Sequence, residues 1–73
     1  MTKICLDNLR LPLSDYDHAQ IRRAPPAREY TVYAVTRGLG VREPVARNLT
    51  HHEALEAAVE LNRILIAHRK MLS

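Results

Sequence analysis

The chain has 73 residues, a formal net charge of +3 and an apolar fraction of 47%. This length predicts one small domain (residues 1–73) with a marginal core, and the apolar fraction excludes wholesale disorder. Because Cys5 is the single cysteine, no disulfide can form within the chain. We expect its thiol to be a small buried side chain, which leaves a metal or self-association as further sources of stability.

No stretch approaches the roughly eighteen consecutive apolar residues of a transmembrane helix, and Met1 leads into no hydrophobic run. The sequence therefore predicts no membrane association and no secretory signal, with the cytoplasm as the expected location. Nine of the eleven cations are Arg, a residue suited to contacts with carboxylate or phosphate. A GC-rich genome gives the same bias, so the charge permits an anionic partner without requiring one.

The first thirteen residues allow two interpretations. Ile4 and Leu6 alternate with polar neighbours, which favours a short N-terminal strand. Leu6, Leu9 and Leu13 also have helical spacing, although Pro12 interrupts that pattern. We favour the strand.

Residues 14–28 are polar and contain Pro25 and Pro26. Proline has no backbone donor and disfavours helix in the residue before it. We therefore predict an exposed Pro-rich connection over 14–28. Beside the prolines lies a first cluster of cations: Arg22, Arg23 and Arg28.

A β-hairpin is predicted over residues 29–49. Residues 29–37 are rich in β-formers on both faces, which indicates a central strand or one covered on both sides. Gly38-Leu39-Gly40 provides positive-φ positions for a tight turn, and residues 41–49 return as a second strand. Pro44 cannot donate to a ladder, so this strand should lie at an edge or contain a bulge.

A helix is predicted over residues 51–70. Thr50 and Glu53 have the spacing of a capping box, in which each side chain accepts the other's free backbone N–H. A helical projection places Ala54, Ala58, Leu61, Leu65 and Leu72 in a central apolar stripe. Leu55, Val59 and Ile66 widen the stripe on one side, and Ala57 and Ile64 widen it on the other. This arc is wider than one sheet face needs.

Together these elements predict an α+β fold. The expected sheet has two or three antiparallel strands, formed by the hairpin at 29–49 either alone or with an N-terminal strand. The long helix at 51–70 packs against it.

The segment HEALE begins at His52 and comes one residue short of the zinc-protease pattern H-E-x-x-H. Glu56 stands where the second His should be, and a catalytic zinc needs three protein ligands. We interpret the segment as the start of a helix. Since no nucleophile motif or phosphate loop is present, we expect no enzyme, no metal and no cofactor.

Strand, glycine turn, strand and a helix that opens T-x-x-E-A resemble the ββα half of two nucleic-acid-binding families. These are the arm-type DNA-binding domains of phage integrases and the double-stranded RNA-binding domains. The RNA-binding family has lysines where this helix begins with His51 and His52, and a third strand and a preceding helix that the sequence does not indicate. The integrase domain has aromatic residues that are missing here. The shared residues are Tyr30 to Thr36, Gly38-Leu39-Gly40, Thr50, Glu53, Ala54, Ala57 and Ala58.

The functional expectation is a small non-enzymatic protein-binding module, an inhibitor or adaptor of the kind that phages and plasmids encode. Anti-CRISPR proteins are comparable in size and style. The apolar side of the helix would bind the partner, and its excess width predicts a homodimer. The alternative is a DNA- or nucleoprotein-binding ββα module that uses the basic hairpin. The candidate residues are Arg22, Arg23, Arg28, Arg37, Arg42, Arg47, Leu55, Val59 and Ile66.

Overall fold

A computed structural model describes residues 4–7, 9–23 and 28–72, and the side chain of Leu72 lies outside this description. The three strands form one antiparallel sheet in the order β1-β2-β3, and the helix α1 contacts all three strands. The predicted α+β class is therefore confirmed. In chain order the elements are a 3-10 turn (Leu13–Asp15), β1 (Tyr16–Arg22), β2 (Tyr30–Thr36), β3 (Arg42–Leu49) and α1 (His51–Leu72).

β2 is the central strand, as its β-forming residues on both faces predicted. Val32, Ala34 and Thr36 are almost fully buried and face α1, because alternate residues of a strand share one side. Thr31, Tyr33 and Val35 occupy the other face by the same alternation. Gly38 and Gly40 have φ values of 84° and 70° in the turn that follows, so the predicted glycine hairpin is confirmed.

β3 is an edge strand with an irregular register, as Pro44 predicted. Val32 pairs with Ala46 and Tyr33 with Pro44, so Val45 is an extra residue between them. Val45 is only 2% exposed and belongs to the core. The bulge therefore adds a buried side chain where proline has removed a ladder donor.

The third strand lies at residues 16–22 and not within the first thirteen residues. This result corrects the predicted connection over 14–28, whose part at Pro25 and Pro26 lies outside the described residues. In β1 only Tyr16, Ala19 and Ile21 contribute to or pack on the core. The intervening residues are polar, so β1 has too few apolar residues for the pattern to be visible.

The described residues 4–7 and 9–12 contain no regular element, so the predicted N-terminal strand is wrong. One backbone bond, from the N–H of Cys5 to the carbonyl of Val45 at 2.8 Å, joins this segment to β3. Ile4 and Leu6 pack against the core, which turns the intervening Cys5 outwards. The cysteine is exposed, and the expectation that it would be buried is also wrong.

The helix begins where the capping box predicted. The backbone N–H of Thr50 donates to Glu53 Oε1 at 3.0 Å, and the N–H of Glu53 donates to Thr50 Oγ1 at 3.2 Å. The first of these bonds is the main reason why the pKa of Glu53 lies below its ordinary value. The fully or almost fully buried helix residues are Ala54, Ala57, Leu61 and Leu65.

Candidate protein-binding surface

The helix exposes more of its large apolar side chains than it buries. Leu61 and Leu65 are buried, whereas Leu55, Val59, Ile66 and Met71 are exposed. Two of the four buried positions are alanines, whose small side chains allow the helix to approach the sheet closely along that line. The buried stripe is therefore centred towards Ala57, and the opposite flank of the predicted apolar arc stays in solvent.

Three of the exposed side chains form one line, which we call the helix row: Leu55, Val59 and Ile66. Their exposed fractions are 45%, 57% and 49%. Spacings of four and seven residues place them on one side of a helix. These residues were the helical part of the predicted binding surface, and the structure brings them together.

Next to the helix row the surface has a shallow depression of about 510 Å³, lined in part by Val59, Asn62 and Ile66. Asn62 lies between the row and the sheet. Its Oδ1 accepts the backbone N–H of Ala19 at 2.9 Å, so it binds α1 to the outer edge of β1. The row therefore lies on a helix whose position relative to the sheet is held by a specific hydrogen bond.

Charged residues along the outer side of the row form pairs within the helix. His52 Nε2 lies 2.6 Å from Glu56 Oε1, and Arg63 lies 3.7 Å from Glu60. All four side chains are at least 45% exposed, so these pairs contribute little to stability. The contact of His52 with Glu56 occurs in the HEALE segment and is a one-turn helix pair.

The three cations of the predicted basic hairpin have different surroundings. Arg37 Nε lies 4.0 Å from Asp17 Oδ1, whereas Arg42 lies 3.5 Å from the amide oxygen of Gln20 across the sheet. Arg47 is exposed at a second register shift, where two residues of β3 oppose Thr31. The hairpin therefore has no single line of free arginines.

The arginines of the cluster predicted beside the prolines also lie apart in the structure. Arg22 ends β1 opposite Thr31, while the Arg23 guanidinium lies 5.6 Å from the centre of the Tyr30 ring. Tyr30 packs on the core side of the sheet. Arg28 is exposed just before β2. Neighbours in sequence are thus directed to different sides of the sheet.

No described helix or strand covers the sheet face opposite α1. By the strand register this outer face has two cross-strand rows of three residues and a third row made by Arg22 with Thr31. None of these described residues is acidic, and Tyr33 lies near the middle. The two full rows are His18, Val35 and Arg42, and Gln20, Tyr33 and Pro44.

Asp17 lies close to basic side chains from β1, the hairpin turn and α1. His18 Nδ1 lies 2.9 Å from its carboxylate, and Arg69 and Arg37 lie at 3.7 and 4.0 Å. The bond with His18, and the nearby charges of Arg69 and Arg37, lower the pKa of Asp17. Arg69 also donates to the backbone carbonyl of Asp17. This exposed group joins the end of α1 to β1 and removes Arg37 from the set of unpaired cations.

A polar contact beside the core was not predicted from the sequence. The Tyr16 hydroxyl donates to Glu43, and its oxygen accepts the N–H of Leu11 at 3.4 Å. Burial and then the bond to Glu43 raise the pKa of Tyr16, while the Tyr16 hydroxyl is the main cause of the lowered pKa of Glu43. In the sequence, the feature that could have indicated this contact was Glu43, an acid at a core-facing position of β3 opposite Ala34.

Within the described residues no group of three His, Cys, Asp or Glu could hold a metal ion, and no helix there is long and apolar enough to cross a membrane. No family model, curated protein or solved structure matches the chain. The surfaces described above are therefore the basis for any functional conclusion.

Proposed function

We propose that this protein is a non-enzymatic protein-binding module and that the helix row is its main binding surface. The observation that carries the proposal is the exposure of Leu55, Val59 and Ile66 on the longest element of a very small protein. An exposed line of apolar side chains costs solvation free energy, which a partner recovers on binding. Burying the remaining half of each side chain would contribute about 1 kcal/mol.

The distribution of the arginines supports a protein target over a strongly anionic polymer. Arg37 and Arg69 share Asp17, Arg63 lies beside Glu60, and Arg10 lies 3.8 Å from Glu43. Non-specific duplex binding depends on the number of phosphates that free cations neutralise. Cations that already have carboxylate neighbours contribute less to such binding. An inhibitor or adaptor role, as phages and plasmids often encode, fits a small module of this kind.

The experiment is affinity capture from a lysate of the source organism, with and without nuclease. Val59→Glu places a charge in the middle of the helix row without entering the core, and we expect it to abolish capture. Met71→Glu is the matched control, because Met71 is 82% exposed and lies outside the row. Capture that survives nuclease and Met71→Glu but not Val59→Glu supports the proposal. Capture that Val59→Glu leaves unchanged contradicts it.

The second candidate is nucleic-acid binding through the outer face, supported by the absence of acidic residues from its three described rows. β1 also supplies the third strand that the likeness to RNA-binding domains requires, although the described residues before β1 form no α-helix. A sheet can contact a DNA groove through its side chains. Arg42→Glu tests this candidate: nuclease-sensitive capture that is lost with Arg42→Glu would favour it over the first.

A further inference from the structure

The helix row is nearly symmetrical about a point between Glu60 and Leu61. Leu55 and Ile66 are equidistant from that point along the chain, and so are Val59 and Asn62. An antiparallel copy of the same helix would therefore place Leu55 opposite Ile66 and Val59 opposite Asn62. The row spans eleven residue steps, or about 16 Å of helix, so these matches extend over three turns.

The charges beside the row change sign within one residue of the same point. Glu56 lies in the N-terminal half and Arg63 in the C-terminal half, and a helical projection places both on the same outer flank. In a two-fold antiparallel pair, each flank meets the same flank of the other copy. Glu56 of one copy then lies within two residue steps, or about 3 Å, of the level of Arg63 of the other. The long arginine side chain spans this offset, and symmetry produces the ion pair twice. In a parallel two-fold pair the two Glu56 side chains would share one level but lie on opposite flanks, and no pair between Glu56 and Arg63 would form across the interface.

We propose that a second copy of this chain occupies the helix row, in an antiparallel two-fold arrangement of the two α1 helices. This inference rests on the proposed function, because it names the partner of the same surface. An isologous contact needs a self-complementary patch. The row meets this condition through Leu55 and Ile66, and the charges beside it do so to within two residue steps. His52 and Glu60, which pair with Glu56 and Arg63 within one chain, are exposed and permit the exchange of partners.

The two edges of the sheet are less suitable for self-association. At the β1 edge the N–H of Ala19 already donates to Asn62, and at the β3 edge the carbonyl of Val45 already accepts the N–H of Cys5. Pro44 removes a further donor from β3. Strand addition at either edge would lose existing hydrogen bonds, whereas helix pairing loses none of them.

The test is sedimentation equilibrium of the whole chain over micromolar concentrations. We expect wild type to approach twice the 8.3 kDa chain mass and Val59→Glu to remain monomeric with an unchanged circular-dichroism spectrum. Glu56→Arg and Arg63→Glu should each raise the dimer Kd about tenfold, because each reverses two symmetry-related pairs. The double variant, E56R with R63E, should return to within about threefold of wild type.

Three results would overturn the proposal: a wild-type monomer throughout, dimerisation that Val59→Glu leaves intact, or single charge variants that bind as wild type does. The last result would indicate a parallel or unrelated interface. The proposed function is judged separately by the capture experiment. A monomer whose capture of a different protein depends on Val59 would overturn self-association and retain the binding module. Capture that is insensitive to Val59→Glu would overturn the module itself.

Discussion

Removal of the Tyr16 hydroxyl measures how strongly the segment before β1 is held to the sheet. Tyr16 is fully buried, and its hydroxyl contacts Glu43 and the N–H of Leu11. A hydrogen bond to a charged acceptor contributes about 1.5–3 kcal/mol, and we take the lower end because the contact lies at the margin of the core. Tyr16→Phe should therefore lower the free energy of unfolding by about 1.5 kcal/mol, or about 6–12 °C in Tm for a domain of this size.

The pH dependence of this loss follows from the ionisation of Glu43. Its pKa in the folded protein is lowered from the ordinary value of 4.5, chiefly by the Tyr16 hydroxyl. A lowered folded pKa stabilises the fold above the unfolded pKa, and this contribution is lost as the pH falls through the folded value. The difference between wild type and Tyr16→Phe should thus be largest at neutral pH and should shrink below about pH 4.5.

The assay is thermal unfolding followed by circular dichroism, at one protein concentration so that self-association is constant. Tyr33→Phe is the matched control, because no hydrogen bond of the Tyr33 hydroxyl is present among the described residues and the side chain lies on the outer face. Equal Tm values for wild type and Tyr16→Phe at neutral pH would refute the reasoning. So would a difference that stays constant on acidification.

Other substitutions test the core, the cap and the second irregularity of β3. Leu61→Ala should lower the free energy of unfolding, measured by urea titration, by about 3 kcal/mol. Met71→Ala, at an 82% exposed site, should change it by less than about 0.5 kcal/mol. Similar values for the two variants would contradict the assigned core. Thr50→Ala should cost about 1 kcal/mol through the lost N-cap, and Thr50→Asn should restore most of it in thermal melts. Asn48 has a φ of 58°, so Asn48→Val should lower the free energy of unfolding by about 1–2 kcal/mol in urea titration. Asn48→Gly should not lower it. If Asn48→Gly lowered it as much as Asn48→Val, a left-handed backbone at this position would be contradicted.

The hairpin and the helix could be predicted because their signals are local. Thr50 and Glu53 identify the start of α1 through their spacing alone, and Gly38 and Gly40 identify the turn through their conformational freedom. Pro44 identified an edge or bulge because a missing donor has the same consequence in any sheet. In each case the physical cause lies within a few residues of its effect.

The first half of the chain could not be predicted because its determinants are distant. β1 is stabilised by pairing with β2 and by the bond from Ala19 to Asn62, which lies 43 residues further along. The contact of Tyr16 with Glu43 spans 27 residues. In the sequence, β1 shows only a short alternation within a polar stretch, and an exposed connection can show the same pattern. Tertiary contacts therefore determined the strand, and local propensity did not.

In the candidate site, too, the features with local determinants could be predicted and those with distant determinants could not. The exposed arc of α1 was predicted correctly, because helical spacing decides which residues share a side. The arginine clusters were grouped by sequence proximity, which failed because Arg22 and Arg23 lie on opposite sides of the sheet and Arg37 contacts Asp17. A strand turns neighbouring side chains to opposite faces, so clusters on strands require the register before they can be assigned.

The order of charges along α1 has two possible origins, and the paired charge variants separate them. Acids early and bases late in a helix also satisfy the helix dipole, so the order by itself does not require a second copy. The dipole effect is confined to the first and last turns, whereas Glu56 and Arg63 lie further inside. Within one chain, E56R with R63E removes the contacts to His52 and Glu60 and places a new acid beside Glu60. An arginine at position 56 also has Glu53 and Glu60 at pair spacing within the same helix. These intrachain changes act on each copy separately, whereas a dimer Kd that recovers in the double variant relative to the two single variants reports pairing between copies.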